Sequence, residues 1–109
     1  MPVWRVAAVE ERPQITLGHW TVYETERGER HFVGRCMDSG SGRVSSAIAS
    51  FDAAARTGTT RSGRTYVLSG GPGHDADGMH VWSVWKMVNA VQEEKNVTPD
   101  YIEPAHRII

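Results

Sequence analysis

The spacing of the hydrophobic residues changes near residue 74, and this change constrains the fold more than any other feature of the chain. Before it, apolar and polar residues alternate in short runs separated by glycine-rich turns, as is typical of β-strands. After it, apolar residues recur every three or four positions, which predicts a helix over residues 76–94. Because neither element can bury its apolar side alone, we expect the helix to lie across the sheet.

The first part of the chain predicts about five strands. Between two of them the sequence ERGE (26–29) predicts a turn in which Gly28 has a positive φ. Short turns join antiparallel neighbours, so we predict an α+β fold: a curved antiparallel β-meander with one C-terminal α-helix packed on the sheet. The candidate strands lie at 3–9, 15–25, 30–37, 43–51 and in the two arms of a hairpin centred on Ser62-Gly63.

The chain has 109 residues, which suits a single domain spanning 1–109. Residues 94–109 contain two prolines and no clear period, and they predict a mobile or docking tail that includes Ile108 and Ile109.

The formal net charge is −1, so no overall charge draws the chain to nucleic acid or to an acidic membrane. There is one cysteine, no signal peptide and no apolar run of membrane-spanning length, so we expect a cytoplasmic protein without a membrane partner.

A helical wheel predicts which face of the helix is buried. One stripe is largely apolar, and we expect it to pack on the sheet. It comprises Asp77, Val81, Val84, Trp85, Val88 and Val91. Trp82 lies off this stripe beside Met79 and Lys86. A tryptophan in that position either covers the edge of the sheet or forms an exposed anchor for a partner.

The sequence GGPGHDADGMH (70–80) contains four potential metal ligands, namely His74, Asp75, Asp77 and His80. The fragment DADG lacks the spacing of a calcium loop, and the segment does not contain H-E-x-x-H. The simpler interpretation is that Asp75 or Asp77 caps the first turn of the helix. A small metal-dependent enzyme remains an alternative hypothesis, although we expect no cofactor.

Residues 27–64 carry seven arginines against three acidic residues. If Ser62-Gly63 forms a two-residue turn, Arg61 and Arg64 face each other, and such a like-charged pair requires compensation. Internal acids such as Asp75 or Asp77 are one source, and a phosphate or an acidic partner is another. The second option extends to a nucleic-acid-binding module on an arginine-rich sheet face, formed by Arg35, Arg43, Arg56, Arg61, Arg64 and Tyr66.

No catalytic constellation stands out, since the sequence has neither G-x-S-x-G nor a phosphate-binding loop. We therefore expect a non-enzymatic interaction module that binds a protein partner or a second copy of itself. Tryptophan and arginine are enriched at the energetic centres of interfaces. The residues predicted to bind the partner are Met79, Trp82, Lys86, Arg61 and Arg64.

Residues 43–85 contain the stretches SGRTYVL, GGPG and VWSVW. With these S-G-R-x-Y-x-L, G-x-P-G and V-W-x-x-W patterns, the segment resembles a family of small uncharacterised bacterial proteins. The resemblance implies no activity, substrate or cofactor. Because such proteins are often encoded near mobile genetic elements, it implies an accessory or inhibitory protein that binds another macromolecule.

Overall fold

A computed structural model of the protein describes residues 13–102, and within this range it has an α+β fold with seven strands and one α-helix. The predicted strand at 3–9 and the residues Ile108 and Ile109 lie outside the described residues. No helix in residues 13–102 is long and apolar enough to cross a membrane. The elements are β1 (Gln14–Thr25), β2 (Arg30–Cys36), β3 (Gly42–Val44), β4 (Ile48–Asp52), β5 (Thr57–Thr60), β6 (Thr65–Leu68), α1 (Ala76–Val88), β7 (Glu94–Asn96) and a 3-10 helix (Thr98–Tyr101).

The strands form one mixed sheet in the order β3-β2-β1-β6-β5-β4, and β7 also pairs with β1. The predicted antiparallel pairing is confirmed for most neighbours, but β1 and β6 are parallel. The prediction of a C-terminal helix was wrong, because β7 and the 3-10 helix follow α1. β7 adds to the end of β1 at Tyr23–Thr25, antiparallel to it. Part of the predicted 94–109 tail is therefore a strand and a 3-10 helix in this structure.

The sheet is strongly curved around an apolar core. Phe32 on β2 reaches Gly58 on β5, although β1 and β6 lie between these strands. A Cβ atom at Gly58 would lie 2.5 Å from the Phe32 ring, so the absence of a side chain allows this contact. The buried core on this face includes Ile15, Leu17, Val22, Phe32, Tyr66 and Leu68.

The helix α1 covers the other face of the sheet, against β2 and β3, with an orientation that differs from the prediction. Its buried residues are Gly78 and Trp82, whereas Val84 is 42% exposed and Val88 is 77% exposed. The predicted valine stripe therefore lies on a flank of the helix. The helix also ends six residues before the predicted position 94, because Ala90 has a φ of 55° and the amide of Val91 bonds back to the carbonyl of Lys86 at 2.9 Å.

Glycines bring α1 into contact with the backbone of the sheet. A Cβ atom at Gly78 would lie 2.7 Å from the carbonyl oxygen of Gly34 on β2. One at Gly42 on β3 would lie 2.4 Å from the carbonyl of Asp77. Both clashes are with backbone, which has no side-chain rotamer through which to move away. These glycines therefore fix how close the first turn of α1 lies to the sheet.

We predict that Gly78→Ala destabilises the protein, although alanine ordinarily favours a helix by about 1 kcal/mol over glycine. The added methyl group forces α1 away from Gly34, and such overpacking costs about 1–3 kcal/mol. Urea unfolding monitored by circular dichroism measures the change. Ser83→Ala, at an exposed position of the same helix, is the control and leaves stability nearly unchanged. Equal or greater stability of Gly78→Ala would contradict the proposed contact.

Candidate interaction surface

The first turn of α1 is held by Asp75, which confirms one of the two predicted N-caps. The Asp75 carboxylate accepts hydrogen bonds from the amide of Gly78 at 2.8 Å and from Arg35 Nε at 2.7 Å. Arg35 also contacts the carboxylate of Asp77 at 3.2 Å. Burial raises the pKa of Asp75, but the bonds from Gly78 and Arg35 outweigh it and leave the pKa below its ordinary value. Asp75 thus joins β2 to the positive end of the helix dipole.

We predict that Asp75→Ala lowers the free energy of unfolding at neutral pH by about 1–2 kcal/mol, the usual value of an N-cap. Because the pKa of Asp75 is lowered by folding, its contribution is present above the unfolded-state pKa and is lost as the pH falls. Urea unfolding between about pH 7 and pH 3 should show the two proteins converging below about pH 4. Asp75→Asn, which keeps an acceptor oxygen without the charge, should be intermediate at neutral pH. A difference that is constant with pH would show that the charge of Asp75 contributes nothing.

Three parallel aromatic rings lie between α1 and the sheet. Trp82 stacks on Tyr23 of β1 and on Trp85, with ring centroids 5.4 Å apart in both pairs. The indole N–H of Trp82 donates to Glu94 Oε1 at 2.9 Å, and Lys86 Nζ contacts the same oxygen at 2.5 Å. Partial burial raises the pKa of Glu94, but the hydrogen bonds from Lys86 and Trp82 and the positive charge of Lys86 leave it below its ordinary value.

The structure shows where the three helix residues predicted to bind a partner lie. Trp82 has no exposed surface, so it serves as a core residue and is not accessible to a partner. Met79 is half-buried, and its sulfur accepts a hydrogen bond from the Tyr23 hydroxyl at 3.8 Å. Lys86 is held by Glu94. All three predicted helix residues therefore make contacts within the fold.

His31 on β2 lies beneath the same aromatic rings. Its ring centroid is 4.5 Å from that of Trp85 and 5.9 Å from that of Trp82. Because a carbonyl oxygen only accepts, the 2.9 Å contact with Ser45 O means that His31 Nδ1 carries a proton and donates it. Nε2 is buried without a hydrogen-bond partner. Burial lowers the pKa of His31, so the ring is neutral and Nε2 holds a lone pair.

The exposed flank of α1 carries a row of valines, which we call the valine seam: Val81, Val84 and Val88. Val81 is half-buried and the other two are exposed. The row continues to Asp77, so the spacing along the helix is four, three and four residues. This is the spacing at which two helices pack side by side in a coiled coil. Trp85 and Asn89 border the seam and complete a shallow apolar groove.

A second groove of about 390 Å³ adjoins the seam and shares Trp85 and Asn89 with it. Its rim carries Arg61, which pairs with Glu29 at 2.8 Å and whose side chain remains 67% exposed. Arg27 lies on the same rim and donates to the carbonyl of Asn89 at 2.5 Å. An apolar seam with charged groups at its end is the usual composition of a protein interface.

Arg61 and Arg64, which were predicted to face each other at the hairpin, do not do so. The amide of Thr60 bonds to the carbonyl of Arg64 at 2.9 Å, so the turn contains three residues, 61–63, and Gly63 has a φ of 92°. Arg61 stands in this turn, whereas Arg64 is buried. The predicted two-residue turn and the opposition of the two guanidinium groups were therefore wrong.

The other residues proposed for nucleic-acid binding also make internal contacts. Arg43 Nε donates to the hydroxyl of Tyr66 at 2.9 Å, and the buried Tyr66 ring offers no face to a base. Arg56 donates to the carbonyl of Gly70. Arg35 binds the two carboxylates at the start of α1. Arg35, Arg43 and Arg56 therefore each make a contact within the fold.

The four potential metal ligands are also dispersed. Asp75 is committed to the helix cap, whereas His74, Asp77 and His80 are exposed. Among residues 13–102 no group of three or more histidine, cysteine, aspartate or glutamate side chains could hold a metal ion.

No family model, no curated protein and no solved structure matches this chain. Arg61 and the valines were predicted from the sequence, but the valines were expected in the core, and His31 was not among the predicted site residues. The spacing of the seam valines, three and then four residues, was the signal in the sequence for this surface.

Proposed function

We propose that this protein is a non-enzymatic interaction module that binds a second copy of itself through the valine seam. The observation that carries the proposal is the exposure of Val84 and Val88 on a helix whose other side is already packed. With Val81 they are spaced three and four residues apart along the helix, which suits a helix as the partner. Water-exposed apolar side chains in such a row favour association, because covering them removes apolar surface from water.

A second copy is favoured because the surface complements itself. In an antiparallel pair of helices that cross near Val84, the start of one α1 lies beside the end of the other. Asp77 at the start has a side chain that is 67% exposed. Arg61 and Arg27 lie near the end, around Asn89. The two-fold arrangement therefore places opposite charges beside each other twice, and it buries the two seams together.

The resemblance of residues 43–85 to small bacterial proteins is compatible with this proposal. If the protein acts as an accessory or inhibitory protein of a mobile element, the dimer would be the species that binds its target. Two observations support this proposal over the alternatives: Arg43 is bonded to Tyr66, and among residues 13–102 no group of three or more potential ligands could hold a metal ion.

We predict that Val84→Glu converts a dimer into a monomer. The substitution places two charges in the apolar seam of each dimer. It should therefore raise the dissociation constant of the dimer at least about a hundredfold. Light scattering after size-exclusion chromatography, over a dilution series, measures this change. Met87→Glu is the matched control: Met87 is 76% exposed on the same helix but lies off the seam, so its variant should remain dimeric. A monomeric parent protein, or a Val84→Glu dimer, would refute self-association through the seam.

Charge exchange tests the antiparallel arrangement. Asp77→Lys and Arg61→Glu should each weaken pairing, because each places like charges beside each other. The double variant restores the opposite charges and should recover most of the affinity if the two residues meet across the two-fold axis. Additive losses in the double variant would show that these side chains do not approach each other, and the orientation of the helices would then need to be revised.

A further inference from the structure

We propose that His31 is a proton-sensitive switch that controls pairing through the valine seam: adding a proton to its buried ring loosens the end of α1 and separates the two copies. This inference rests on the proposed self-association. It is carried by the position of an unpartnered ring nitrogen beneath the helix that bears the seam.

The neutral ring fits its site, and the charged ring does not. His31 is 2% exposed, and Trp82 and Trp85 lie against it. Its Nδ1–H is already bonded to Ser45 O. A second proton would reside on Nε2, which has no acceptor in this environment. A buried charge without an acceptor is costly, and the cost disappears if the ring reaches water.

The charged groups around His31 do not supply that acceptor. From the turn before β2, Glu29 attracts a proton on the ring, but its carboxylate is paired with Arg61. Arg61 itself opposes the added charge, and Arg27 lines the same groove. On the helix and on β7, Lys86 and Glu94 bind each other beside Trp82. The Trp85 ring lies 4.5 Å from the His31 ring, and both rings line the groove that also contains Glu29, so a movement of the protonated ring toward Glu29 or water disturbs its packing on Trp85.

A change in the packing of Trp85 affects the seam directly. Trp85 follows Val84 in the chain, and it borders both the seam groove and the groove that contains His31. The first turn of α1 is fixed to the sheet by Asp75 and by backbone contacts at Gly78, whereas the last turn is held by side-chain contacts: the rings, the Lys86–Glu94 ion pair and the bonds from Arg27. Protonation therefore acts on the less strongly held end, where Val88 must stay in line with Val84 for pairing.

The test measures the dimer dissociation constant between about pH 7.5 and about pH 4.5 for the full chain, by light scattering and by analytical ultracentrifugation. One pKa unit of coupling corresponds to about a tenfold change, so we expect the parent dimer to weaken at least about tenfold on acidification. His31→Asn retains an amide donor for Ser45 O but has no titrating group, and its dimer should change by less than about twofold. His80→Asn removes the exposed histidine that borders the seam and should still respond like the parent protein.

A second measurement keeps the test valid if His31→Asn does not fold. In the parent protein, the imidazole titration of His31, followed by NMR, should coincide with the change in tryptophan fluorescence and with dissociation. A dimer that is insensitive to pH, or one whose response is abolished by His80→Asn, would refute the switch and leave self-association intact. If acidification weakens the His31→Asn dimer as much as the parent dimer, the switch is likewise refuted. A monomer at about pH 7.5 would instead refute the proposed function on which the switch depends.

Discussion

The backbone contact between Gly34 and Gly78 determines how α1 lies on the sheet, and the rest of the surface depends on it. Because α1 touches the strand at Gly78, the residues that follow on the same side of the helix also face the sheet. These residues are Trp82 and Trp85. The helix is rotated accordingly, and its valines are left on the flank. The contact therefore fixes both what is buried beneath α1 and what remains exposed.

The rotation of α1 also explains where inference from the sequence failed. A helical wheel ranks faces by hydrophobicity, and the valine stripe has the highest ranking. The observed buried face instead combines a glycine with aromatic rings. The indole N–H of Trp82 donates to Glu94, and its ring stacks on Tyr23. Such a face is stabilised by shape and by specific partners on other strands, and neither is visible in the periodicity of the helix alone.

Local features were predictable because nearby residues determine them. The turn at residues 26–29 with a positive φ at Gly28, the strand that begins at residue 30 and the aspartate cap of α1 were all confirmed. The parallel pairing of β1 with β6 was missed because it joins segments about fifty residues apart, between which the chain makes an excursion through four strands. The short strand β7 was missed because its sequence, EKN, carries no apolar alternation. It forms because β1 offers an open edge there.

The placement of the charges, too, depends on tertiary contacts that the local sequence does not reveal. The excess of arginine in residues 27–64 indicated a surface for anions, yet Arg30, Arg35 and Arg61 each meet a carboxylate within the fold. Glu24 and Asp75 lie outside residues 27–64 and Glu29 lies within them, so acidic residues from three parts of the chain neutralise part of this arginine excess. What remains for a partner is therefore not a strong electrostatic field. It is an apolar seam with a few charges at its two ends, a composition that favours a shape-matched helix over a polyanion.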